Sequence, residues 1–104
     1  MNTLFIDTSS NKEIIVGLII NGKEFLIRQN IAAQKAQIAL PLIDKLLKKN
    51  NLKISDISSI KVNTGPGSFT GLKVGVAIAN ALSYVAKIPV NGEKIGVFVT
   101  PKYE

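Results

Sequence analysis

Two short segments carry residue types that could do chemistry. One is Asp7-Thr8-Ser9-Ser10, a carboxylate followed by three hydroxyls; the other is Gly65-Pro66-Gly67-Ser68-Phe69-Thr70-Gly71. A glycine-rich loop between a strand and a helix can cradle a phosphate on its backbone N–H groups. This loop lacks the Gly-Lys-Ser/Thr ending of a P-loop and the Gly-x-Gly-x-x-Gly spacing of a dinucleotide site, and Pro66 deletes one donor. The same letters serve equally as a tight turn with Ser68 or Thr70 as the helix N-cap. Asp7 at a strand end reads as a turn or cap residue as readily as a ligand, and Thr8, Ser9 and Ser10 as turn hydroxyls.

The rest of the composition narrows the chemistry. The chain has 104 residues with no cysteine and no histidine. That removes thiolate sites, disulfides, imidazole ligands and a histidine base. A metal would need oxygen ligands drawn from seven acidic residues. The formal net charge is +6, which raises nucleic acid as a partner. The lysines are scattered, however, and Arg28 is the only arginine, so we read them as solvated surface. Few aromatics are placed to stack bases. At 46% hydrophobic residues the chain can bury a real core in one domain. The N-terminus has no basic region before its apolar run, and Ile14 to Ile20 is far short of the ~20 residues that span a bilayer. The expectation is a soluble cytoplasmic protein with no membrane contact.

The elements that must position these loops follow from periodicity. Thr3 to Thr8 reads as a buried strand. Glu13 to Ile20, almost continuously apolar, is a second strand covered on both faces. Asn21-Gly22 is a hairpin signal, and Lys23 to Gln29 pairs back as a third strand. From Ala32 to Lys49 the apolar positions Ala36, Ala39, Leu40, Ile43, Leu46 and Leu47 recur at helical spacing, with Pro41 inside the run as a kink. Ser55-Asp56 is a small turn or cap, and Ser59 to Asn63 a fourth strand. A second helix runs from Phe69 to Ala86. Ile88-Pro89-Val90 begins a fifth strand, Asn91-Gly92 is a second hairpin signal, and Ile95 to Thr100 reads as a last strand. The fold class is α/β: a mixed five-stranded sheet, β-β-β-α-β-α-β, with two main helices and room for an extra C-terminal hairpin strand.

The loop Gly65-Pro66-Gly67-Ser68-Phe69-Thr70-Gly71, continuing Leu72-Lys73-Val74-Gly75, resembles the signature of the TsaB (YeaZ) family. Ile6-Asp7-Thr8-Ser9 matches that family's opening and Leu40-Pro41-Leu42-Ile43 its Leu-Pro element; the likeness covers roughly residues 3 to 90. It implies an actin-like, sugar-kinase-like (ASKHA) lobe. It also implies a non-catalytic subunit that binds and supports TsaD, together with TsaE. That system places a threonylcarbamoyl group on the adenosine beside the anticodon of tRNAs reading ANN codons. No cofactor is expected on this chain, any ATP belonging to TsaD or TsaE, and tRNA is reached only through the complex. In ASKHA kinases the position of Asp7 holds a metal-associated carboxylate. The runner-up function is therefore a small nucleotide-binding or phosphotransfer protein acting as a dimer.

The chain departs from the family pattern in three places. It is expected to be a single lobe, residues 1–104, with the second lobe absent. The sequence after Val90 diverges, which suggests an added hairpin over the sheet edge. Ala33-Gln34-Lys35-Ala36-Gln37 replaces a His-Ser or His-Thr pair. Without histidine, neither the metal site nor the old peptidase label of the superfamily carries over. Gly71, Gly75, Ala79 and Ser83 form a line of small residues, which lets the second helix approach either its own sheet or a helix of a partner. The resemblance points to the two helices as the TsaD contact, through Ala32, Ala36, Ala39, Leu40 and Ile43 on the first and Gly71, Leu72, Gly75, Ala79 and Ser83 on the second. The same surface would form a homodimer when TsaD is absent.

Overall fold

Asn21 and Gly22 both adopt positive φ, 49° and 84°, as in a two-residue type I′ turn whose twist matches the strands it joins. The turn fixes β2 (Glu13–Ile20) against β3 (Lys23–Asn30), antiparallel, with Ile20 opposite Lys23 and Glu13 opposite Asn30. β1 (Asn2–Asp7) pairs antiparallel with β2 and parallel with β4 (Ser59–Val62). In the computed structural model, which describes residues 1–31, 35–67 and 69–101, these strands make a mixed sheet in the order β3-β2-β1-β4.

Period-two alternation sends Leu4 and Ile6 of β1, Ile14, Val16 and Leu18 of β2, and Ile60 and Val62 of β4 to one face, where all are buried. Two helices cover that face. α1 (Lys35–Lys49) contributes Ala39, Leu42, Ile43, Leu46 and Leu47, and α2 (Phe69–Ala86) contributes Leu72, Val76 and Ala79. On the opposite face Phe5, Ile15 and Ile19 are half-buried, and no helix covers them among the described residues. The molecule is thus a two-layer α/β sandwich.

Both helices stop the same way. Asn51 after α1 and Lys87 after α2 take positive φ. The next amide then reaches back over the last turn, Leu52 N–H to Leu47 C=O at 2.9 Å and Ile88 N–H to Ser83 C=O at 3.2 Å. These are Schellman closures formed without glycine. They aim the chain back toward the sheet, where Ile57 and Ile88 are buried.

The second helix is fixed to the sheet by one side chain. Thr8, fully buried just past β1, donates its hydroxyl to Gly71 C=O and accepts the Gly75 N–H at 2.9 Å. Residues 71 and 75 are an i, i+4 pair, so the hydroxyl is wedged into the helix's own hydrogen-bond ladder. A Cβ on Gly75 would stand 2.6 Å from Thr8 Oγ1. The line of small residues therefore serves close approach of helix to sheet.

Among the described residues the sheet has four strands rather than the expected five. Val90 makes only an isolated parallel bridge to Ile60, and residues 93–101 contain no strand. Pro89 has no N–H to give a ladder, and Asn91 and Gly92 turn the chain away at positive φ. Side chains replace the missing ladder. The Asn91 amide accepts from Val62 N–H at 2.8 Å and donates to Val62 C=O at 3.0 Å. The Asn80 amide does the same for Val99, at 3.1 and 2.9 Å. The Ser55-Asp56 turn is a single 3-10 turn, Ile54–Asp56. The expected helical start at Ala32 and the tail 102–104 lie outside the described residues.

Three substitutions test this packing. Gly75→Ala should destabilise by about 1–3 kcal/mol, because overpacking against Thr8 outweighs the ~1 kcal/mol that alanine gains in a helix. Thr8→Val, which orphans the Gly75 N–H, should cost about the same. Thermal unfolding followed by circular dichroism checks both, and an unchanged or raised midpoint would contradict the wedge. Asn91→Ala should lower the same midpoint by several degrees, since it removes two hydrogen bonds and leaves alanine at positive φ.

Candidate functional site

The two chemistry-bearing loops meet at the C-terminal ends of β1 and β4. Asp7 Oδ1 accepts the Ser9 N–H at 2.9 Å, the Ser9 hydroxyl at 2.6 Å and Asn63 Nδ2 at 3.3 Å. Asn63 Nδ2 also reaches Ser9 Oγ at 3.2 Å, and its Oδ1 accepts the Gly65 N–H at 2.9 Å. The carboxylate is therefore engaged in stapling the β1 loop to the β4 loop. Ser10 Oγ accepts the Lys12 N–H at 3.0 Å as a turn hydroxyl. A Cβ on Gly67 would lie 2.6 Å from Ser9 Cβ, so the glycine loop sits directly on the β1 loop. The Gly65–Pro66 peptide bond is cis. Among the described residues no group of three or more His, Cys, Asp or Glu could hold a metal ion.

Of the signature loop, Gly65 is half-buried, Pro66, Gly67 and Thr70 are exposed, and Gly71 is buried. Ser68 and the Phe69 side chain lie outside the described residues, and so does the choice of Ser68 as N-cap. Asn63 was not singled out from the sequence, which placed it only at the end of a strand. The readable signal was its position two residues before Gly65, the spacing of an Asx turn.

The residues expected to face TsaD divide sharply. Ala39, Leu72 and Ala79 are fully buried, Ile43 and Ser83 nearly so, and Gly71 and Gly75 are covered by Thr8. Ser83 donates its hydroxyl to Ile88 C=O beneath the end of α2. These side chains pack inside the single molecule, so a bulky charge at Gly75 or Ala79 would disturb the fold itself. Leu40 alone stands out, at 50% exposed. Ala32 and the Ala36 side chain lie outside the described residues.

What α2 does present outward is a different set. Ala77, Ala81, Tyr84 and Val85 are all exposed, and they share one stripe of the helix. Tyr84 is 66% and Val85 77% exposed. The Phe98 ring stands edge-on to Tyr84 at 6.5 Å between centroids, and Lys87 Nζ lies 5.3 Å from the Tyr84 ring centre. Ala77, Asn80, Ala81, Tyr84 and Phe98 line a shallow, almost wholly apolar depression. Sequence periodicity assigned the helix several apolar stripes and could not say which one the sheet would leave bare.

The fold has solved counterparts. It matches YeaZ from Pseudomonas aeruginosa at a TM-score of 0.80 and 28% identity, over 86% of this chain and 43% of that one. By sequence it is 32% identical over 90 residues to the tRNA threonylcarbamoyladenosine biosynthesis protein TsaB of Haemophilus influenzae, and 32% identical over 94 residues to that of Bacillus subtilis. These alignments take in 86% and 88% of this chain but 38% and 40% of the relatives. The chain thus spans about two-fifths of the length of the curated relatives it matches. The family model described as TsaD, tRNA N6-adenosine threonylcarbamoyltransferase, matches residues 27–94, from within β3 to just past the Asn91-Gly92 turn. With two relatives 32% identical over 86% and 88% of its length, the chain belongs to the TsaB/YeaZ family.

Proposed function

We propose that this chain is a non-catalytic accessory subunit of tRNA threonylcarbamoylation. It binds and supports TsaD, works with TsaE, and reaches tRNAs reading ANN codons only through that assembly. Family membership supports the process. The observation that carries the role is the outer stripe of α2, with Ala77, Ala81, Tyr84 and Val85 exposed together. Contiguous apolar surface on a small chain marks an interaction site, and small residues beside a tyrosine let a second helix come close around an aromatic anchor. Leu40 and Pro41, exposed on α1, add apolar surface on the neighbouring helix. The Asp7 loop supports a scaffolding role for its own residues, because Asp7 Oδ1 and the Ser9 hydroxyl tie the β1 loop to Asn63 after β4, while the Thr8 hydroxyl holds α2.

The test is co-expression with TsaD of the same organism, followed by affinity capture and size exclusion. Ala81→Glu and Val85→Glu, both at exposed positions, should leave the melting temperature within a few degrees and reduce TsaD capture by about tenfold or more. Full capture by both variants would remove α2 from the interface. Failure of the unsubstituted chain to bind TsaD would refute the proposed role.

A further inference from the structure

We propose that β3 is a self-pairing edge, through which two copies of this chain join their sheets about a twofold axis at Leu26. The proposal is independent of the TsaD reading: β3 lies at the opposite edge of the sheet from β4, whereas α2 packs against β4 and β1.

The backbone defines the edge. In a two-residue hairpin the residues flanking the turn form a hydrogen-bonded pair, and such pairs then alternate along the ladder. Starting from Ile20 and Lys23, the β3 residues bonded to β2 are Lys23, Phe25, Ile27 and Gln29. The same alternation carries on to Ile31, whose N–H donates to Lys12 C=O at 3.0 Å. Glu24, Leu26, Arg28 and Asn30 therefore turn their N–H and C=O groups away from the sheet. β2 is the only strand that pairs with β3 among the described residues. An eight-residue strand with one side unpaired is a template for another strand.

The side chains select the occupant and its register. Glu24 and Arg28 stand two residues to either side of Leu26 and carry opposite charge. In an antiparallel pair of identical strands centred on Leu26, Leu26 faces its own copy, and each Glu24 faces the other copy's Arg28. Those are the residues whose backbone groups point outward, so three residue pairs close six backbone hydrogen bonds with both ion pairs formed. Sliding the register by two residues puts a charge opposite Leu26. Arg28 already holds Glu13 at 2.9 Å, and its five-donor fork can take a second carboxylate. On the helix-bearing face the same register sets Phe25 beside the other copy's Ile27. Phe25 and Leu26, 39% and 49% exposed in the single chain, would both be covered. Charged side chains on an edge, commonly lysines, ordinarily guard it against pairing. This one carries unlike charges in a self-complementary arrangement, as a twofold contact requires.

The chain contains no cysteine, which makes a cross-link decisive. In the proposed dimer the Leu26 positions are hydrogen-bonded partners with Cα atoms about 5.5 Å apart, inside the ~4.4–6.8 Å range of a disulfide. The two Glu24 positions are offset by four residues, about 13 Å, and are out of reach. Under mild oxidation Leu26→Cys should therefore run as a covalent dimer and Glu24→Cys as a monomer. By sedimentation, Glu24→Arg should weaken self-association of the full chain by about tenfold, since two unlike pairs become like pairs. Glu24→Arg combined with Arg28→Glu should restore it. Leu26→Pro, which removes an outward N–H on an edge strand, should leave the fold intact and abolish the dimer. A chain that stays monomeric at every concentration, equal cross-linking by both cysteine variants, or a dimer indifferent to Glu24→Arg would overturn the proposal; the last would place the contact on another surface such as the helices.

Discussion

The architecture depends on how closely α2 can approach the end of β1. Thr8 sets that distance by wedging its hydroxyl between Gly71 C=O and Gly75 N–H, and a Cβ at residue 75 would stand only 2.6 Å from that hydroxyl. Beside the wedge, the Asp7 carboxylate gathers Ser9 and Asn63, and Gly67 lies against Ser9. Asn63, Gly65, Gly67, Gly71 and Gly75 belong to one joint between β1, β4 and α2, made largely of small side chains and short polar links. Any larger group at Gly67 or Gly75 forces the loop or the helix outward. The buried stripe of α2 is then determined, and with it the stripe that remains outside.

Most of the secondary structure was legible because it rests on local rules. The apolar strands, the Asn21-Gly22 turn and the 3.6-residue period of α1 each state their conformation within a few residues. The fifth strand was misread for a reason of the same kind. Ile88 and Val90 have strand character, but Pro89 supplies no N–H, and the chain turns away at Asn91. What replaced the ladder, the side-chain amides of Asn91 on Val62 and Asn80 on Val99, joins residues 29 and 19 positions apart. No local pattern carries that information.

The candidate site was legible in its letters and illegible in its orientation. The glycine loop, the Asp7 cluster and the line of small residues on α2 are all in the sequence, and they do meet in space. A line of small residues says that something comes close without saying what. Here it is Thr8, so the positions expected to meet a partner are instead interior. The exposed alternative, Ala77, Ala81, Tyr84 and Val85, becomes visible only when the sheet has claimed the opposite stripe. The two surfaces proposed for partners lie on different parts of the molecule: an apolar helix stripe on one layer and a charged strand edge at the far side of the other.

Amide hydrogen exchange at Gly75 tests the wedge most directly. This amide lies near the start of α2, where helix ends ordinarily fray and exchange quickly. Held by the buried Thr8 hydroxyl, it should exchange as slowly as the amides of β1, through global unfolding, and Thr8→Val should speed it well beyond the change seen in β1. Rapid exchange of Gly75 in the unsubstituted chain, or equal rates with and without the hydroxyl, would contradict the account.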